Sequence, residues 1–271
     1  MEKTIFYILM FCIGSLFGSF FTLAVYRIPL HQDITHKRSY CPNCNHKLAF
    51  WDMIPILSYI FLGGKCRYCK HKIRIRYLIL EVLSGILFLL WAISLNINFI
   101  YFQTSKLIYL VVGLLYLAGI IIIAGIDKEK KMVSKPVILY EVVILSIYMI
   151  YLYIVEKANI YRYVIYLFII CVFLIINNIY YRKKIKDNYT IDIIILSIIM
   201  ALFTGEICYI LTVIFTLLTI AITLIINSIK GKSKKYIKTK KEYVLNLPIG
   251  FYLCCSNIIL IIIINFMACR W

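Results

Sequence analysis

The chain alternates between long apolar runs almost free of charge and short polar connections. A helix needs about 20 apolar residues to cross a hydrocarbon core of roughly 30 Å. Runs of that order lie near 5–26, 78–97, 107–126, 137–154, 163–180, 207–227 and 248–267, and a shorter one covers 192–204. The pattern predicts an all-α polytopic membrane protein with about eight transmembrane helices. The first run is too long for a cleavable signal core and is followed by Arg27 and Pro29, not by a small-residue cleavage site, so it is expected to remain as a helix. The expected organisation is a first transmembrane helix at 1–26, a polar segment at 27–77 and a membrane-embedded remainder at 78–271.

Composition agrees with the bilayer as solvent. Of the 271 residues 63% are hydrophobic, and a mean hydropathy of +0.91 is outside the range of soluble domains. The formal net charge of +18 would suit a nucleic-acid surface, but its distribution argues against one. Lys and Arg concentrate in 27–76, 128–135, 182–186 and 230–241, which are every second connection. The other connections and both termini hold only Lys3, Lys106, Lys157, Arg162 and Arg270. The positive-inside rule then puts both termini outside and the four basic segments in the cytoplasm.

The longest of these segments contains "YCPNCNHKLAFWDMIPILSYIFLGGKCRYCKHK". Cys41, Cys44, Cys66 and Cys69 make two C-x-x-C pairs, the pattern that supplies four thiolates to a closed tetrahedral zinc site. A disulfide pair or a redox C-x-x-C are the alternatives, and a reducing compartment disfavours stable disulfides. Four thiolates already complete a site, so His31, His36, His46 and His71 are expected to be solvated polar residues. Cys12, Cys171, Cys208, Cys254, Cys255 and Cys269 lie in or beside apolar runs and are expected to be small packing residues. Between the cysteine pairs, 50–64 is apolar enough to lie on the membrane surface, with Trp51 and Tyr59 suited to the headgroup layer. The same residues could instead form the core of a small zinc module.

An acid at membrane depth is costly unless paired, solvated or used. Those at the edges of apolar runs are Glu81, Asp127, Glu141 and Asp192. Asp127 closes the third run and Asp192 opens the sixth, so the alternation of crossings brings both to the cytoplasmic boundary. Two neighbouring carboxylates can share a proton, one acting as base on water and the other as acid on a carbonyl, as in an aspartic protease. The alternative is a pair of boundary acids bridged to Lys128, Lys130, Lys131, Lys183, Lys184 or Lys186. Asp187 lies among Arg182, Lys183, Lys184 and Lys186 and reads as a solvated counter-charge. Glu81 is expected to complement the amino terminus of the second helix, and Glu141 to face the bundle.

The chain resembles the bacterial type IV prepilin leader peptidases. The resemblance rests on "GSFFTLAVYRIP" (18–29), on 39–85 with its four cysteines, Asp52, Ile54-Pro55, Leu57-Ser58-Tyr59, Arg76-Tyr77 and Glu81, on "GIDKEKKMVSKP" (125–136), and on "LPIGFYL" (247–253). It implies a membrane aspartic endopeptidase that removes the basic leader of a prepilin or pseudopilin at the cytoplasmic face of the bacterial inner membrane. Asp127 and Asp192 would be the catalytic pair. It also implies N-methylation of the new amino terminus with S-adenosylmethionine as cofactor, beside a structural zinc. The family pattern Gly-x-Gly-Asp is here Tyr189-Thr190-Ile191-Asp192, without either glycine. A lysine common two residues later is Ile194, and a hydrophobic-Pro-Asp after the first aspartate is Val133-Ser134-Lys135. A non-catalytic pilus-assembly scaffold and a membrane transporter are the alternatives. The transporter is the weaker of the two, because internal repeats or broken midplane helices are not evident.

Overall fold

The computed structural model describes residues 2–34, 39–97, 103–155, 161–182, 189–229 and 247–268. Asp187, His36, Cys269 and most of the third and fourth basic segments lie outside them. The described residues form helices and no strand: α1 (Glu2–Arg27), α2 (Leu57–Phe61), α3 (Arg76–Ser94), α4 (Thr104–Lys130), α5 (Lys135–Val155), α6 (Tyr161–Arg182), α7 (Tyr189–Thr204), α8 (Glu206–Ile229) and α9 (Ile249–Ala268). Six helices, α1, α3, α4, α5, α8 and α9, are long and apolar enough to cross a membrane, while α6 and α7 contain shorter apolar stretches. The eight apolar runs thus all become helices. The chain divides into two compact units, 1–114 with 268–271, and 115–267.

In the first unit α1 packs closely along α3. Gly14 and Gly18 make this possible: a Cβ on Gly14 would lie 2.6 Å from the Ser84 carbonyl oxygen, and one on Gly18 would lie 2.8 Å from the Glu81 Cα. Lipid offers no hydrophobic drive for helix pairing, so close backbone approach through small residues supplies the van der Waals contact. Further along, the buried Trp91 indole N–H donates to the Leu110 carbonyl at 3.2 Å, satisfying a polar group in an apolar setting.

In the second unit α7 is the central helix, packed against α5, α6 and α8. Its residues Ile195, Leu196 and Ile199–Phe203 are buried, which the apolar character of the helix permits. Gly205, at φ 83°, ends α7 with its N–H on the Ala201 carbonyl at 3.0 Å, so α8 follows after one residue. Across the middle of the unit the Tyr116 hydroxyl donates to Asn257 Oδ1 at 2.8 Å, and Asn257 Nδ2 donates to Thr212 Oγ1 at 3.4 Å. This buried chain links α4, α9 and α8.

Candidate functional site

The first site is local. Each cysteine pair sits on a tight turn: the Cys41 N–H donates to the His46 carbonyl at 3.0 Å and the Cys66 N–H to the His71 carbonyl at 2.9 Å. Asn45 and Lys70, each directly after the second cysteine of its pair, have φ of 55° and 59°. The two turns are therefore copies of one device. They bring the Sγ atoms of Cys41, Cys44, Cys66 and Cys69 within 4.8 Å of one another. The Cys41 to Cys69 separation is 3.8 Å, and four ligands at the usual Zn–S bond length in a tetrahedron stand about 3.8 Å apart. The residues thus fit a metal of that kind, which when bound would cross-link the two turns.

The thiols are electrostatically unequal. The His71 backbone N–H, with the Asn43 amide, lowers the Cys69 thiol to about 6. For Cys44 the His46 N–H also lowers the thiol, but dehydration and the Cys41 and Cys69 sulfurs outweigh it and raise it to about 11. Four crowded thiols resist joint ionisation unless a cation compensates. His46 and His71 are exposed, as expected of residues outside the ligand set; the His46 ring instead meets Tyr68 at 3.6 Å between centroids, the rings tilted by 36°.

Two acids organise the residues between the turns. Asp52 accepts from Arg67 Nε at 2.7 Å, tying the 3₁₀ turn Phe50–Met53 to the second cysteine turn. Glu81 corrects an expectation: it does not cap the start of its own helix. It lies beyond the first turn of α3, buried, and accepts the Ile56 backbone N–H on Oε2 at 2.8 Å. The carboxyl is needed there because Ile56, just ahead of α2, has an N–H turned away from any backbone partner.

The second site is assembled from distant segments. Asp127, buried near the end of α4, accepts on Oδ2 from the Phe251 N–H at 2.8 Å and the Tyr189 hydroxyl at 3.0 Å. The Gly250 N–H donates in turn to the Tyr189 oxygen at 3.1 Å. The two N–H donors come from the first turn of α9, where unpaired N–H groups and the helix dipole favour a carboxylate, and the hydroxyl comes from the start of α7. Gly250 allows the approach, since a Cβ there would stand 3.0 Å from Asp127 Oδ2 and 3.0 Å from Ile193 Cδ1. Oδ1 of Asp127 is buried with no hydrogen-bond partner among the described residues. Asp192 is buried on α7, three residues after Tyr189 and so on the same helix face. The Lys128 ammonium lies over the Phe251 ring at 4.7 Å.

One residue here was not foreseen as a site residue. Tyr189 read only as a lost glycine, although its spacing from Asp192 could have flagged it. Glu141 was expected to face the bundle and is buried on α5; both of its oxygens lack hydrogen-bond partners among the described residues. Gly119 of α4 leaves the room it occupies.

Comparison with known proteins covers the first unit best. Residues 12–95 match the family described as Bacterial Peptidase A24 N-terminal domain. Curated relatives named prepilin leader peptidase/N-methyltransferase include one from Myxococcus xanthus, 42% identical over 84 residues, 31% of this chain and 25% of the relative. One from Bacillus subtilis is 38% identical over 104 residues, covering 38% and 42% of the two chains. One from Klebsiella pneumoniae is 31% identical over 129 residues, covering 45% and 53%. The matched part therefore spans between a quarter and about half of these relatives' length. No solved structure matches.

Proposed function

We propose that this protein is a membrane aspartic endopeptidase that removes the basic leader from prepilin-like substrates, with both termini outside and the site at the cytoplasmic face. The observation that carries the reading is the state of Asp127. One of its oxygens is held by Phe251 and Tyr189, the other is buried and has no hydrogen bond among the described residues, and Asp192 follows Tyr189 on the same face of α7. A carboxyl fixed through one oxygen keeps the other for a reacting proton. In the proposed reaction one aspartate takes a proton from the attacking water while the other donates to the scissile carbonyl oxygen. The roles then reverse as the tetrahedral adduct expels the amine, which leaves with a proton. The names of the relatives add prepilin processing and N-methylation as the activities to test. For methylation we assign S-adenosylmethionine to no residues, because 27–76 has only the Gly63-Gly64 pair and no glycine-rich nucleotide loop.

The deciding experiment is mass spectrometry of a prepilin-like protein incubated with the purified chain and S-adenosylmethionine. Loss of the leader mass supports the peptidase, and an added methyl mass supports the second activity. Asp192→Asn is expected to leave the substrate uncut, whereas Asp187→Asn should process it at close to the parental rate. The reverse result would make Asp187 the partner of Asp127. A second reading, a non-catalytic pilus-assembly scaffold, draws on Tyr189, a bulky residue in place of a family glycine whose hydroxyl sits against Asp127. An intact substrate with every variant would select it.

A further inference from the structure

The segment between the cysteine turns keeps its large apolar side chains outside. Phe50 is 69% exposed, Trp51 70%, Ile60 61% and Phe61 84%. A zinc module facing only water would be expected to turn such residues inward, so they do not serve as its core.

Its attachment fixes where this face lies. The Ile56 N–H is bonded to Glu81, and Glu81 comes five residues after Arg76, where α3 begins. At 1.5 Å per residue that is about 7.5 Å into a membrane-spanning helix, less the reach of a side chain that leans back toward the helix start. The bond is not incidental. Ile56 has φ 63° and ψ −56°, and the Leu57 N–H closes a three-residue turn on the Pro55 carbonyl at 2.6 Å. That turn is rare, and for a β-branched residue it is strained. It turns the Ile56 N–H toward Glu81 and holds residues 50–61 alongside the first turns of α3.

The charges around this face are of one sign. Lys47, Lys65, Arg67, Lys70, Lys72 and Arg74 are exposed. Asp52 is the single acid between 39 and 76, and Arg67 already engages it. Aromatic and aliphatic residues at headgroup depth, bordered by lysine and arginine, match an anionic leaflet.

We propose that residues 50–61 form an interfacial anchor, inserted beside α3 into an anionic lipid leaflet. Phe50, Trp51, Ile60 and Phe61 sit among the upper acyl chains and the basic rim among the lipid phosphates. The anchor holds the four-cysteine clamp against the membrane surface. It does not depend on whether the chain cleaves prepilins.

The test uses the full chain in nanodiscs of phosphatidylglycerol and phosphatidylcholine, with acyl chains brominated near the headgroup. The emission of Trp51 is obtained as the difference between the parent and Trp51→Phe, an exposed position whose replacement spares the fold. The Trp51 emission should lose most of its intensity to brominated lipid and little to aqueous iodide. Phe61→Glu should reverse that preference, and discs of phosphatidylcholine alone should weaken the lipid quenching. Quenching by iodide and not by lipid overturns the anchor. Protection from both quenchers, as a covering protein or second copy would give, also overturns it. Equal lipid quenching with and without phosphatidylglycerol overturns the anionic preference.

Discussion

The four-cysteine clamp and the Asp127 site show two ways of placing chemistry on one chain. In the clamp, each pair of ligands and the backbone bonds that shape its turn lie within a few residues, from Cys41 to His46 and from Cys66 to His71. The Asp127 site draws on residues 62 and 124 positions away, Tyr189 and Phe251. A local site survives rearrangement of the helices around it, whereas a site spread over α4, α7 and α9 exists only while those helices keep their register. The clamp should therefore fail locally when damaged, and the aspartate site should respond to any change in helix approach.

The largest expected effect is on the distributed site. Asp127→Asn keeps the acceptor for Phe251 but removes the group proposed to give and take the reacting proton. Leader cleavage should fall by roughly 10² to 10⁴ or more, measured by substrate mass, with membrane insertion and zinc content unchanged. Parental cleavage by this variant would remove the aspartic mechanism.

Next in size is the clamp. Cys66→Ser leaves three thiolates, so the protein should purify without the single zinc expected of the parent, as elemental analysis would show. Limited proteolysis should then cut within 39–75 while the helices persist. If the damage spreads instead to α7 and α9, the contrast between a local and a distributed site is lost.

Gly250→Ala tests how closely α9 must approach α4. The new methyl stands 3.0 Å from both Asp127 Oδ2 and Ile193 Cδ1, and overpacking of this kind costs about 1–3 kcal/mol. A lowered midpoint of thermal unfolding should accompany reduced cleavage, with metal content untouched. Tyr189→Phe is the mildest change. It removes the donor to Asp127 and the acceptor of the Gly250 N–H, a loss of about 1–2 kcal/mol, or a factor of roughly 5 to 30 in rate. An increase in cleavage would show that the hydroxyl restrains Asp127 and would favour a tyrosine that dampens activity.

The sequence by itself determined the features whose physics is local or is set by the solvent. Apolar run length fixed the eight apolar helices, six of them long and apolar enough to cross a membrane, since a helix is the only way to satisfy an isolated backbone segment in lipid. The C-x-x-C spacing fixed each half of the clamp, because one tight turn suffices to gather two sulfurs, and the pattern of two such pairs pointed to their meeting. The cost of an acid at membrane depth singled out Asp127, Asp192, Glu81 and Glu141. Tertiary structure alone decided their company. Tyr189 became the neighbour of Asp127 through the approach of α7 to α4, and Glu81 became the strap for Ile56 through the fold of the segment ahead of α3. Glu141 came to lie against Gly119 through the packing of α5 on α4. A hydrogen bond between helices depends on their relative rotation and depth to within an ångström, and one chain's order of apolar and polar residues sets neither so finely.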